Sequence, residues 1–241
     1  MSAFADLPVA RVQYYTTAPY PCSYVPGQTA RSLVATPLFR LEMGTFAHLV
    51  YLGFRRSGHF VYRPKCVDCQ ACTPTRVAVF DFAATRAQKR VSRQHDSLTA
   101  KLLPTGFVHE HFELYQRYQR HRHEGGGMDG DNEEQYRQYM LQSSVDTVLV
   151  EFREAGVLRM VSIVDVLPDG ISANYTFFDP EVRGSSFGTY AILWQIAYAR
   201  ALGLPYLYLG YWVDGSRKMR YKANFNPQER LLDGHWQRLA H

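Results

Sequence analysis

A run of strand and helix patterns between residues 146 and 211 restricts the fold more than any other part of the sequence. Three strand patterns separated by glycine turns come first: Asp146–Glu154, Val157–Leu167 and Ile171–Phe178. A strongly apolar helix pattern follows at Gly188–Leu202, and a further strand pattern at Tyr206–Tyr211 comes directly after it. This order predicts an α+β fold in which the last strand returns beside the third.

The chain divides into two parts of different composition. Residues 1–105 are rich in Pro, Gly, Arg and Cys and predict a smaller Cys-containing α+β domain, and residues 106–241 carry the strand and helix run. Short apolar alternations in the first part predict strands at Leu49–Phe54, Phe60–Tyr62 and Arg76–Phe80. Helices are predicted at Thr85–His95, His109–His123 and Glu133–Gln142, with a glycine loop at 125–127.

Composition and the N-terminus exclude several classes of protein. With 241 residues, of which 46% are hydrophobic and 20% charged, the chain has the length and composition of a folded protein. Its longest apolar stretches, such as Ala191–Ala199, are shorter than the roughly 20 residues that cross a bilayer. The N-terminus has neither a cationic start nor an apolar signal core. The sequence therefore predicts a cytoplasmic protein with no membrane partner and with reduced cysteines.

Charge is distributed unevenly along the chain. Gly53–Lys101 has ten Lys or Arg against three Asp or Glu, whereas Glu110–Glu154 has five against ten. A cationic segment of this kind suggests a partner with phosphates, and the alternative is a solvated basic surface. The predicted helix Thr85–His95 has one basic face, formed by Arg86, Lys89, Arg90 and Arg93.

Two further segments suit contacts with phosphates or bases. Small residues precede the apolar helix, where backbone N–H groups and the partial positive charge of a helix N-terminus attract anions. These residues are Ser185, Ser186, Gly188 and Thr189. After the last core strand, cations are interleaved with Met219 and Tyr221, and they include Lys218, Arg220 and Lys222. The structural alternatives are a capped loop for the first segment and a solvated run for the second.

Four cysteines are spaced in a way that suggests a metal site. They are Cys22, Cys66, Cys69 and Cys72, of which the last three are separated by two residues each. Four thiolates can hold a structural zinc ion or an iron–sulfur cluster. Usual zinc modules have two separated Cys-x2-Cys pairs, so reduced structural thiols are an equal alternative.

Several long motifs resemble one protein family. They are PCSY at 21–24, GFRRSGHFVYRP at 53–64, the cysteine run, GGGMD at 125–129, the segment 185–213 and SRKMRYKANFNP at 216–227. Together these residues resemble the bacterial aspartate/glutamate leucyltransferases, which are related to the eukaryotic arginyl-tRNA–protein transferases. The resemblance runs from about Tyr14 to Arg230. It departs from the arginyltransferase pattern where Val25 replaces the second cysteine of a Cys-x2-Cys pair and where the later cysteines are not adjacent.

The resemblance implies an aminoacyltransferase that moves leucine from leucyl-tRNA to the N-terminal Asp or Glu of a protein, which creates an N-degron. The order of strands and helix in the second part of the chain is that of an acyltransferase core of the GNAT type, although other α+β folds share it. The chemistry that the resemblance implies requires no cofactor. The acceptor's carboxylate needs a nearby cation, and the candidates are Arg55, Arg56 and Arg76. The three groups of cations and small residues named above are then the candidate tRNA contacts.

The chemistry needs little activation, because leucine on tRNA is an ester and a free α-amino group is already about one-tenth neutral at pH 7. Asp165 is a lone carboxylate in an apolar strand and is the candidate that accepts or relays the amine proton. Tyr175 is the candidate that orients the ester or the ribose hydroxyl. The alternative for Asp165 is a solvated strand end.

Two other classes of function are compatible with parts of the sequence. An acetyl-CoA-dependent N-acetyltransferase of the GNAT type would share the core strands and the helix, but it would not need the basic first part. A zinc-containing RNA-binding module would explain the charge and the cysteines, but it would not need the strand–helix–strand core. The oligomeric state is left open.

Overall fold

The computed structural model describes residues 12–36, 42–122, 128, 130–216 and 219–239. The helices are α1 (Met43–Tyr51), α2 (Arg86–Gln94), α3 (His109–Arg122), α4 (Glu133–Tyr136) and α5 (Phe187–Ala201), with a π-helical turn at Arg137–Leu141 and a 3-10 helix at Arg220–Asn224. The first seven strands are β1 (Gln13–Thr16), β2 (Tyr20–Pro21), β3 (Thr29–Ala30), β4 (Ser32–Thr36), β5 (Arg55–Ser57), β6 (Phe60–Pro64) and β7 (Cys72–Ala78). The others are β8 (Thr99–Pro104), β9 (Thr147–Glu154), β10 (Val157–Leu167), β11 (Gly170–Phe178), β12 (Tyr206–Val213), β13 (Gln228–Leu232) and β14 (His235–Arg238).

Eight strands form one mixed sheet in the order β14-β13-β7-β12-β11-β10-β9-β8. β11 and β12 are parallel, and the other neighbouring pairs are antiparallel. The predicted order of three antiparallel strands, a helix and a strand returning beside the third is confirmed by β9, β10, β11, α5 and β12. The protein is therefore an α+β protein with a large mixed sheet.

A second, four-stranded sheet has the order β1-β4-β6-β5, and β2 pairs with β3. β7 and β8 also come from the first part of the chain, yet they belong to the large sheet. The division at residue 105 stays a prediction, and the large sheet contains strands from both sides of it.

The predicted strand at Leu49–Phe54 is wrong, because residues 49–51 lie in α1. The buried side chains of this helix are Phe46, Ala47, Leu49 and Val50, and they form one helical face. This period becomes visible only when the residues before Leu49 are included.

Helices cover both faces of the large sheet. α5 packs with Met160, Val164 and Ile171 on one face. On the other face, α3 and α4 pack with Val161, Ile163 and other side chains of β9–β11, and α1 packs near the ends of β10 and β12. Since β10 is covered on both sides, its sequence is a nearly continuous apolar run rather than an alternation.

Local sequence signals fix the ends of two helices. The Thr85 hydroxyl accepts a hydrogen bond from the backbone N–H of Gln88, whose side chain bonds back to the Thr85 N–H, and this capping box starts α2. α5 ends before Gly203, which has a φ of 72° that favours glycine. Within the described residues, no helix has the length and apolar character that a bilayer span requires.

Candidate active site

The parallel strands β11 and β12 pair only at one end, and the side chain of Arg55 fills the space where they separate. Pairing is limited to Gly170–Ser172 of β11. The Arg55 guanidinium donates to the carbonyl oxygens of Ala173 and Asn174 on β11, at 2.7 and 2.8 Å, and to Leu209 on β12 at 3.4 Å. A guanidinium, which has five donors in a plane, thus replaces the missing strand ladder.

Gly210 is what allows Arg55 to approach β12. A Cβ atom at Gly210 would overlap the Arg55 guanidinium, and the φ of 74° is one that residues with side chains rarely adopt. The β-bulge between Tyr208 and Gly210 lies at the same point. Local backbone geometry on β12 therefore matches the side chain inserted from β5.

Two of the predicted site residues, Arg56 and Asp165, form a buried ion pair with each other. Arg56 Nε and Nη2 donate to the two carboxylate oxygens at 3.1 and 2.5 Å, and each side chain is 1% exposed. Thr147 also donates to the carboxylate, and Arg56 Nη1 donates to the carbonyl oxygens of Gly58 and Gln142. The structure therefore places Asp165 where it is enclosed and paired.

Arg76 lies at the other end of the paired region, in a cage of aromatic rings. Its guanidinium donates to Glu229 at 2.8 Å and to the Tyr208 hydroxyl at 3.1 Å. Its central carbon is 3.5 Å from the Tyr206 ring centre and 4.4 Å from that of Trp236. Arg76 is buried, so these contacts surround the cation.

Tyr175 lies on the face of β11 that α3 covers. Its hydroxyl oxygen accepts a hydrogen bond from the Gln119 amide at 2.9 Å, and burial raises the pKa of Tyr175. Tyr175 and Phe177 share this face, as the strand alternation predicts, and Thr176 on the other face bonds with Ser162. Because its oxygen is the acceptor for Gln119, the Tyr175 hydroxyl proton remains available for a second partner.

Lys222 differs from the surface position that its motif suggests. It is buried, and its Nζ donates to the Tyr211 carbonyl oxygen at 2.8 Å. Burial and the nearby charge of Arg55 hold the pKa of Lys222 well below its usual range. The sequence-based placement of Lys222 among surface phosphate contacts is therefore not what the structure shows. Arg220 is exposed, and Lys218 lies outside the described residues.

The basic helix α2 abuts the N-terminus of α5. His95, at the end of α2, hydrogen-bonds with the Ser185 carbonyl oxygen, and its ring stacks on Phe187 at 4.8 Å. Gln94 donates to the Gly184 carbonyl oxygen at 3.3 Å. The structure thus brings together two segments that the sequence indicated separately: the small residues Ser185, Ser186, Gly188 and Thr189, and the exposed cations Arg86, Lys89, Arg90 and Arg93.

The four cysteines are free and half-buried. Burial raises the pKa of Cys72 to about 12, and the proximity of Cys22, Cys66 and Cys69 also raises it. Cys22 Sγ accepts backbone N–H groups of Tyr24 and Val25 at 3.4 Å. In the ranges that the structure describes, no group of three or more His, Cys, Asp or Glu is arranged to hold a metal ion.

Residues at the end of α3 were missed by the sequence analysis. The Tyr118 ring packs on Phe178, the last residue of β11, at 4.9 Å, and the Arg122 guanidinium carbon is 5.6 Å from the same ring. Tyr118 and Arg122 are four residues apart, so they share a helix face. That spacing was the available signal, but it does not show that this face meets β11.

Two family models match the chain. The description "Arginine-tRNA-protein transferase, C terminus" matches residues 110–232, and "Arginine-tRNA-protein transferase, N terminus" matches residues 20–90. The chain therefore belongs to the arginine-tRNA-protein transferase family.

Similar proteins of known name indicate which members of this family the chain is most similar to. A protein of Nitrosospira multiformis is 56% identical over 99% of this chain and 95% of its own length. A protein of Thiobacillus denitrificans is 51% identical over 96% of this chain and 97% of its own. Both are named aspartate/glutamate leucyltransferase. The family resemblance indicated by the motifs is confirmed.

Solved structures share less with the chain. FemX covers 78% of this chain and 65% of its own at 9% identity, with a TM-score of 0.47. The L-PGS of Bacillus licheniformis covers 59% of this chain and 46% of its own at 9% identity, with a TM-score of 0.45.

Proposed function

We propose that the protein is a cytoplasmic enzyme that transfers leucine from leucyl-tRNA to the α-amino group of proteins beginning with Asp or Glu. The observation that supports this proposal is the identity of 49–56%, over nearly the full length, with relatives named aspartate/glutamate leucyltransferase. The product is an N-degron that directs the acceptor to proteolysis. The test is leucine transfer to an Asp-starting peptide, measured with purified protein and leucyl-tRNA.

The proposed reaction exchanges an ester for an amide. The neutral α-amine attacks the leucyl carbonyl carbon, the C–N bond forms and the C–O bond to ribose breaks, and the proton lost by the amine is balanced by protonation of the ribose oxygen. No cofactor takes part in this exchange. We place the reacting carbonyl beyond Arg55, towards the end of β11 and beside the first turn of α5, as in a GNAT-like core.

Tyr175 is our proposed donor to the ester or the ribose hydroxyl, because Gln119 fixes its oxygen and leaves its proton free. Tyr175→Phe is expected to lower kcat roughly 100-fold in single-turnover assays, with peptide and tRNA binding preserved. An unchanged rate would show that positioning alone carries the reaction.

The proposed tRNA surface is the exposed face of α2 together with Arg220 and the first turn of α5. All four α2 cations are exposed, and α2 ends against the segment that precedes α5. Phosphates of the acceptor stem would contact the cations, and the helix N-terminus would lie near the 3′ end. Lys222 is too enclosed for a surface contact and holds the 3-10 helix to β12 instead.

The α2 surface predicts a specific salt dependence. In Lys89→Gln/Arg93→Gln, the slope of log Kd for tRNA against log salt should fall by about two, one for each lost phosphate contact. Lys101→Gln, an exposed cation on the edge strand β8, is the control and should keep the parent slope. An unchanged slope in the double variant would contradict the tRNA surface.

The four cysteines are sulfur donors, which is the ligand type of a structural zinc ion or an iron–sulfur cluster, and Cys22, Cys66 and Cys69 lie near Cys72. We propose that Cys22, Cys66, Cys69 and Cys72 would hold it, with a structural role only. Elemental analysis of protein purified without added metal should find about one equivalent of zinc, or iron with sulfide, and Cys72→Ser should lose it. Metal-free parent protein with full activity would contradict this proposal.

A further inference from the structure

Arg122, in the last turn of α3, has an exposed side chain that lies against the end of β11. Its guanidinium carbon is 5.6 Å from the Phe178 ring centre. Burial raises the pKa of Tyr118 to about 12, and the nearby charge of Arg122 partly offsets this rise. Tyr118 packs on the same ring at 4.9 Å, and the Arg122 side chain lies beside that ring with its surface exposed to solvent.

Phe178 connects Arg122 to the place where we put the leucyl ester. The Phe178 ring is 5.8 Å from the Phe187 ring, and it is within 3.8 Å of a Cβ position at Gly188. Arg122 and the first turn of α5 therefore lie on the same aromatic ring. In an N-terminal Asp or Glu, the carboxylate is two or three bonds from the carbon that carries the amine. A guanidinium bound to it must then lie within roughly 9 Å of the reacting nitrogen.

The arginines predicted for this role are already engaged. Arg55 holds three strand carbonyl groups, Arg56 holds Asp165, and Arg76 is enclosed by aromatic rings. Each of the three guanidinium groups is bound within the protein, and Arg56 and Arg76 are also buried. Arg122 differs because it is both exposed and close to α5.

We propose that Arg122 determines acceptor specificity by pairing with the side-chain carboxylate of the N-terminal Asp or Glu. This inference rests on the proposed leucine transfer. An Arg on the surface has several rotatable bonds, so it can follow the extra methylene of Glu and accept both residues. Arg–carboxylate pairing also rejects Asn and Gln, which have no charge.

The test compares Arg122→Gln with Arg120→Gln in peptides that begin with Asp or Asn. Arg120 is exposed in the same turn, and its Nε donates to the Gln116 carbonyl oxygen, so its substitution removes the same charge from the helix. In Arg122→Gln, kcat/KM for the Asp peptide should fall roughly 10- to 100-fold, while that for the Asn peptide stays unchanged. Arg120→Gln should keep the parent preference, Arg122→Lys should restore part of it, and tRNA affinity should be unchanged in all three.

Two outcomes would overturn the proposal. One is an unchanged preference for Asp over Asn in Arg122→Gln. The other is an equal loss with both peptides, which would assign Arg122 to a step that does not involve the carboxylate. The parent protein is assayed first with both peptides, and its failure to transfer leucine at all would contradict the proposed function rather than the assignment of Arg122.

Discussion

Asp165→Asn is expected to lower the free energy of unfolding by about 3–5 kcal/mol, because it leaves the buried charge of Arg56 without its partner. Both side chains are 1% exposed, and the carboxylate also accepts from Thr147. The asparagine has nearly the same shape, so the loss comes from charge and hydrogen bonding rather than from a cavity. The measurement is equilibrium denaturant unfolding, with kcat determined on the folded fraction.

The control for this prediction is Asp81→Asn. Asp81 pairs with Arg238 at 2.9 Å, but both side chains are more than half exposed, and an exposed pair of this kind contributes at most about 1 kcal/mol. We expect its unfolding curve to match that of the parent. If the unfolding curve of Asp165→Asn matched that of the parent while kcat fell 100-fold, Asp165 would be the proton acceptor that the sequence suggested, and its structural role as the partner of Arg56 would be wrong.

Gly210→Ala is expected to reduce leucine transfer by at least roughly 100-fold, because the new methyl group would take the space of the Arg55 guanidinium. Displacing Arg55 removes hydrogen bonds from Ala173, Asn174 and Leu209, on the strand ends that border the proposed reacting carbonyl. Partly buried carbonyl groups left without donors also cost stability, up to about 1–3 kcal/mol each. Transfer and unfolding should be measured on the same preparation.

Gly156→Ala separates the loss of Arg55 from backbone strain. Gly156 has a φ of 83° in the β9–β10 turn, and a Cβ atom there would meet nothing within 4 Å. This variant should lose about 1 kcal/mol of stability and keep its activity. A double-mutant cycle adds a sharper criterion. In the Arg55→Ala background, Gly210→Ala should lower the free energy of unfolding by little more than Gly156→Ala does. Additive effects of Arg55→Ala and Gly210→Ala would contradict the inserted arginine.

Local sequence patterns predicted the core of the fold well. The turns and apolar periods of β9–β12 and α5 lie within short windows, and the start of α2 is set by Thr85 and Gln88, which are three residues apart. Period-based reasoning failed at Leu49–Phe54, where a window of six residues did not include the helical face of α1. It also could not show that β7, which comes from the first part of the chain, pairs with β12 from the second part.

The site was harder to predict because its contacts are not local. The sequence indicated that the Asp165 carboxylate needs a partner. That partner, Arg56, is 109 residues away and was predicted to bind the carboxylate of the acceptor instead. Arg55 forms hydrogen bonds with residues that are more than 100 positions away along the chain. The glycine that leaves space for it, Gly210, lies inside a strand pattern. Lys222 belongs to a basic run, and only the packing of the 3-10 helix against β12 shows that it is buried.

The most direct test of the central proposal is a transfer assay with purified protein and tRNA charged with radiolabelled leucine. Acceptor peptides begin with Asp, Glu, Asn or Lys, and tRNA charged with arginine and acetyl-CoA are parallel donors. We expect leucine on the α-amino group of the Asp and Glu peptides only, as determined by mass spectrometry, and no transfer of an acetyl group. Acetylation from acetyl-CoA, or tRNA binding without transfer to either acidic peptide, would contradict the proposed function.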